Sequence, residues 1–355
     1  MKKPLLFLTL SVLLVSCVKL TDPVIIDVDI VPYFLSGPGV FIVNEGNFNW
    51  GNGSLSFYSY DSAKLYNNVF RSVNNRILGD IPNQMVIQGD YAYIVVNNSG
   101  KIEVVKQKTL GSIKTIEKLK SPRYISMIGS TKSYVSSLFS DSLTIIDLST
   151  NATSGYIDIG HPSEALVTFS GKAFAAHWYN GNKIMVINTI NDILTDSIEV
   201  GPEPESMVID KNAVLWVLCN GGWKRENFAE LIAINTLTLE IEKRFTFPSK
   251  DDSPLCLQID GTGNTLYYIH NGIKRMSIDA AQLPEVPLIA ETERKFYKFG
   301  VNPLNGDIFI TDAADYQQKG YVLYYKNDGT FVTAMQADII PGSLCFKLPP
   351  ESVIE

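Results

Sequence analysis

Along the chain, apolar and polar positions repeat one pattern seven times. Short apolar runs end in a polar turn at VFIVNEG from Val40, AYIVVNN from Ala92, SYVSSLF from Ser133, AFAAHWY from Ala173, VLWVLCN from Val214, LYYIHNG from Leu266 and IFITDAA from Ile308. Successive starts lie 52, 41, 40, 41, 52 and 42 residues apart. Each run is rich in β-branched and aromatic residues, as expected of a strand buried among other strands. Prolines keep step with the runs, at Pro82, Pro122, Pro162, Pro204, Pro254 and Pro341. Five of them open similar phrases: PNQMVIQ, PRYISMI, PSEALVT, PESMVID and PLCLQID. The unit around KFYKFGVNP lacks the early proline. A further alternating strand follows the runs, as in KIEVVKQKT and SLTIIDLST, and then a more polar one, as in SGYIDIG and DSIEVG.

Four strands in a unit of about 40 residues fit a propeller blade. Seven units predict an all-β, seven-bladed β-propeller of four-stranded blades. No long segment of helical period competes with this reading, and a closed ring protects strand edges that an open sheet would expose. Closure is legible too. IIPGSLCFKL has the pattern of a first strand with no second after it, and GVFIVNE that of a second strand with none before it. The C-terminal strand is therefore expected to complete the N-terminal blade.

Composition narrows the setting. A chain of 355 residues with 11% aromatic and 19% charged residues is a folding sequence. Its net charge of −7 argues against a nucleic-acid partner, which needs a basic surface. The opening, MKKPLLFLTLSVLLVSC, places two lysines before an apolar run that stops at a cysteine. The run is short for a bilayer span and reads as a signal sequence. LVSC resembles the lipobox of bacterial lipoproteins, which implies lipid on Cys17; an ordinary secretory signal is the alternative. The expected organisation is a signal peptide over 1–16, a lipid-anchored tether over 17–37, the propeller over 38–348 and a short tail over 349–355. Cys219, Cys256 and Cys345 are odd in number and sit in apolar phrases, so buried free thiols, or one pair and one free thiol, are expected. No Cys/His spacing suggests zinc.

Propeller geometry points candidate chemistry at one face. The loops joining the second strand of a blade to its third share a face with the loops joining one blade to the next. Three of the four tryptophans, Trp50, Trp178 and Trp223, fall in the first class of loop, with Phe48, Phe139, Tyr179 and Tyr316. Trp216 lies inside a strand and is expected in the core. Arg123 and Tyr124 come from a blade-to-blade loop, and His177, Lys224 and Arg225 flank the loop tryptophans. Amphipathic rings outside the strand core are the residues favoured at binding sites. They can equally pack loop on loop. The expected ligand-binding set is Phe48, Trp50, Arg123, Tyr124, Phe139, His177, Trp178, Tyr179, Trp223, Lys224, Arg225 and Tyr316. No metal site is expected, because the three histidines, His161, His177 and His270, lie far apart in the sequence. No catalytic residues are assigned. No pair among Glu45, Glu164, Glu203, Glu205, Asp312 and Asp315 is fixed at a useful separation.

The phrases YIVVNNSGKIEVV and DSIEVGPEPESMVI resemble the YVTN/YncE-type propeller repeat. VFIVNEGNFNWGNGSLSFY resembles the opening phrase of the DUF5074 group of extracytoplasmic propeller lipoproteins, close to the BtuG-type surface lipoproteins that capture cobalamin. That resemblance implies an outer-membrane lipoprotein at the cell surface or on the periplasmic face. Its ligand would be bulky, cobalamin or another corrinoid, with no bound cofactor beyond it. Its partner would be a TonB-dependent outer-membrane transporter. A glycan- or protein-binding surface module remains open, as does a metal-dependent propeller lactonase or lyase. An enzyme is not expected, for want of a converging set of metal ligands.

Overall fold

The computed structural model describes residues 31–349. The expected signal peptide, Cys17, most of the expected tether and the tail after 349 lie outside the described residues. The described chain forms seven four-stranded antiparallel sheets. In blade 1 the strands Gly39–Asn44, Ser54–Ser59 and Lys64–Tyr66 are joined by Pro341–Lys347 from the C-terminal end. Blade 2 runs from Pro82–Gln88 to Ser112–Ile116, blade 3 from Pro122–Ile128 to Ala152–Asp158, and blade 4 from Leu166–Phe169 to Ile193–Glu199. Blade 5 runs from Pro204–Ile209 to Ile241–Thr246, blade 6 from Leu255–Ile259 to Ile289–Ala290, and blade 7 from Lys298–Val301 to Phe331–Ile339. The strands of each blade are lettered A to D outward from the centre. Every A strand touches the A strands of both neighbouring blades, which closes the ring.

The uninterrupted apolar character of the B strands has a direct cause. Successive side chains of a strand point to opposite faces, and in this ring both faces of a blade meet another blade. In Val214–Cys219, Leu215, Val217 and Cys219 pack toward blade 4, while Trp216 and Leu218 pack toward blade 6. Seven apolar clusters result, one in each gap between blades. Trp216 is buried in one of them, and its indole N–H donates to Asp210 Oδ2 at 2.9 Å. The D strands have one wet face and alternate accordingly, as in Ile193–Glu199.

The C-terminal strand pairs with Gly39–Asn44 in register, with Val40 opposite Phe346 and Phe41 opposite Cys345. Four of the marker prolines, Pro82, Pro122, Pro204 and Pro341, are the first residues of A strands. Proline is tolerated there because its missing N–H costs no interior ladder bond. The first long spacing between repeats has its own explanation: the short helix α1 (Val69–Asn74) and the chain after it are inserted between blades 1 and 2. No helix among the described residues is long and apolar enough to cross a membrane. Among the described residues, Cys219, Cys256 and Cys345 form no disulfide.

A candidate binding site at the loop face

The B–C loops and the D–A connections meet around a cavity of about 590 Å³. Blade 3 supplies Arg123 and Tyr124, blade 4 supplies Trp178, and the connection between blades 3 and 4 supplies Glu164. Blade 5 supplies Glu205, with Asn220, Trp223 and Arg225 from its long B–C loop. Cys256 comes from the first strand of blade 6, and Tyr297 and Lys298 from the start of blade 7.

The floor is a set of polar contacts that cross from blade to blade. Arg123 Nε lies 2.9 and 2.8 Å from the two oxygens of Glu164, and its Nη2 lies 2.5 Å from Oε1. Burial works against the guanidinium charge, but the Glu164 carboxylate outweighs it and holds the Arg123 pKa above its ordinary value. This arginine is thus committed to its partner. Glu205 accepts the N–H of Cys256 at 2.8 Å. Burial raises the Glu205 pKa, only partly opposed by hydrogen bonds from Ser206 and Cys256 and by the Lys298 charge. Burial and the neighbouring Glu205 push the Cys256 thiol up to about 11. Cys256 has a φ of 61°, in the left-handed region, at an irregularity in the pairing of its strand.

Lys298 differs from the other cations. Its ammonium lies 3.6 Å from Glu45 Oε1 and donates no hydrogen bond among the described residues. Burial opposes its charge, yet Tyr124, Glu45 and Tyr297 together raise its pKa, so it stays protonated. Tyr297 donates to Glu45 Oε2 at 3.0 Å, and its ring meets Tyr316 edge-on at 5.7 Å. Burial, with smaller contributions from neighbours of both signs, pushes the Tyr124 hydroxyl up to about 12, so it remains a neutral donor. Above the floor stand two indoles. Trp223 is 85% exposed. The Trp178 indole nitrogen is buried and has no hydrogen-bond partner among the described residues.

The structure brings together Arg123, Tyr124, Trp178, Trp223 and Arg225 from the expected set. Tyr179 lies beside Trp178 with ring centroids 6.4 Å apart, and Tyr316 braces the cavity wall through Tyr297. Lys224 follows Trp223 on the exposed blade 5 loop. His177 stacks face to face on His161, at 4.1 Å and 8°, outside the cavity lining. Burial, then His161 and Lys183, lower the His177 pKa, against Asp141. His270 pairs with Asp252 at 2.8 Å. Phe139 borders a shallow hollow with Lys118 and Lys120. Phe48 and Trp50 stand on the exposed blade 1 loop, where Trp50 borders a second cavity. No cluster of three or more His, Cys, Asp or Glu suited to a metal occurs among the described residues.

Lys298, Tyr297, Cys256 and Asn220 were not in the expected set. The first two sit at the start of blade 7, the unit without a proline marker. Lys298 and Cys256 share a positional signal with Arg123 and Glu205: all four stand in the first two residues of an A strand. That register was legible in the proline-led units and lost in the other.

Solved structures with the same fold have varied functions. A quinonprotein alcohol dehydrogenase-like protein from Bacteroides thetaiotaomicron superposes with a TM-score of 0.69 at 15% identity, covering 87% of this chain and 78% of that one. A periplasmic gluconolactonase from Pseudomonas aeruginosa gives 0.65 at 12% identity, covering 88% and 100%. A streptogramin B lyase gives 0.57 at 13% identity, covering 73% and 83%. These likenesses show the fold alone. They do overturn one expectation: the exclusion of an enzyme does not stand, because propellers of this fold include a lactonase and a lyase. The lack of a metal-ligand pattern in the sequence was too weak a ground for it. No curated protein matches the chain. The family model described as a domain of unknown function, DUF5074, matches residues 38–340, and the chain belongs to that family.

Proposed function

We propose that the cavity between the loops of blades 3 to 7 captures a small organic ligand that combines a flat apolar surface with an anionic oxygen group. One observation carries this reading: Lys298 is a protonated cation in the lining that donates no hydrogen bond among the described residues. Its Glu45 counter-ion lies 3.6 Å away, beyond hydrogen-bond distance, so a ligand oxygen would accept a charge-assisted hydrogen bond that the described residues do not supply. Trp178 and Trp223 supply ring surface, and the buried Trp178 indole N–H has no hydrogen-bond partner among the described residues. Rigid blades hold these groups in place before binding, so little ordering is needed.

The more specific form of the proposal follows from the family resemblance. The ligand is then a corrinoid, held at the outer membrane through lipid on Cys17 and passed to a TonB-dependent transporter.

The test is a tryptophan-fluorescence titration with a panel of aromatic carboxylic acids, their methyl esters and cyanocobalamin. The proposal expects an acid to bind and its ester to bind at least tenfold more weakly. Lys298→Met should remove that difference, and Trp178→Ala with Trp223→Ala should abolish the heat of binding of the same acid in calorimetry. Equal binding of acid and ester, or a Lys298→Met protein that keeps the preference, would refute the anionic part. Cyanocobalamin without heat in a parallel calorimetric titration would remove the corrinoid version.

A further inference from the structure

We infer that the cleft between the blade 1 loop and helix α1 is a separate binding site for an acidic saccharide. The cleft has a volume of about 320 Å³. Leu55, Phe70 and Leu78 form its buried base, and Trp50 and Ile77 form a rim, 77% and 54% exposed respectively. Among the described residues of the lining, Arg71 alone has an ionisable side chain. Among the described residues the side chains of Arg71 and Asn68 make no hydrogen bond or ion pair.

Both walls are fixed. On the blade 1 loop, Asn47 and Asn52 pair through their amides, with the Asn47 N–H 2.7 Å from Asn52 Oδ1. Asp80 Oδ2 accepts the Asn49 N–H at 2.9 Å, and Asn47 Nδ2 donates to the Tyr316 carbonyl at 2.7 Å. Opposite, Asn74 ties α1 to blade 2, donating to the Leu110 carbonyl at 2.9 Å and accepting from the Ser112 N–H at 2.8 Å. Arg76, just after the helix, forms a bidentate pair with Glu103 at 2.8 and 2.7 Å. An exposed indole on so constrained a loop is held out to solvent by the fold.

The lining selects the ligand class. A purely apolar occupant would desolvate Arg71 and Asn68 without replacing their water. A small inorganic anion would leave Trp50 and Ile77 unused. A sugar ring offers an apolar C–H face to the indole and a rim of hydroxyls to the amide. A carboxylate on that ring matches the guanidinium in two-pronged fashion.

The experiment uses Trp178→Phe/Trp223→Phe protein, in which Trp50 is the one exposed tryptophan, since Trp216 is buried. Oligogalacturonate should quench its fluorescence, and a neutral glucan oligomer should bind at least tenfold more weakly. Arg71→Gln should remove that preference, and Trp50→Ala should abolish heat release in calorimetry on otherwise unaltered protein. Silence toward oligogalacturonate overturns the inference, as does binding that survives Trp50→Ala. A blue shift with anionic lipid vesicles but no sugar response would assign the cleft to a membrane surface instead and would equally overturn it. Lys298→Met serves as the control for the first cavity and should leave this titration unchanged.

Discussion

Replacing Glu164 with Met breaks the Arg123–Glu164 pair and leaves a guanidinium whose side chain is only 18% exposed without its counter-ion. Removing one partner of a buried pair costs about 3–5 kcal/mol, because the surviving charge has lost both its water and its partner. The residual exposure of Arg123 puts this case at the low end, about 3 kcal/mol. The backbone around the substitution keeps its own ties: the Glu164 N–H to the Ala176 carbonyl at 2.9 Å, and the Glu164 carbonyl to Ser136 Oγ at 2.7 Å. The loss is therefore expected to come from the side chain. Replacing both residues, Arg123→Met with Glu164→Met, removes the orphaned charge and should restore stability to within about 1–2 kcal/mol of the parent. Urea unfolding, followed by circular dichroism and fluorescence together, measures all four corners of the cycle. A Glu164→Met protein destabilised by less than about 1 kcal/mol, or a double variant no better than the single one, would refute the account of this pair as buried and mutually dependent.

Two further outcomes follow from the structure. Burial raises the Glu205 pKa above 4.5, so this carboxyl favours the folded state below that value and loses its contribution as pH rises toward its folded pKa. Glu205→Gln should therefore gain stability relative to the parent between pH 4 and pH 7, and a parallel pair of pH–stability curves would contradict the assignment. Deleting residues 341–355 strips blade 1 of its inner strand and exposes the edge of Gly39–Asn44; the truncated protein should self-associate on size-exclusion chromatography. A monomer with an unchanged melting temperature would show that the ring does not depend on this closure.

What the sequence determined by itself was the repeat. Blade number, the B strands and the closing strand could all be read, because every blade is sandwiched between two others and both faces of its B strand must be apolar. Trp216 was legible as core for the same reason. The loop tryptophans were legible as a group, since a strand–turn–strand frame puts all B–C loops on one face. Which of them would meet was not legible. Trp178 and Trp223 share a cavity while Trp50 borders a different one, and that division depends on the angle each loop takes around the ring. The stacking of His161 on His177 likewise needed the packing of one blade against the next. Lys298 was hidden most completely. In sequence it is one lysine in a unit without a proline marker; in the ring it stands near Glu45, more than two hundred residues away in the chain. Ring closure makes those two positions neighbours, and Tyr124, Glu45 and Tyr297 hold the charge of this lysine at the cavity against the effect of burial.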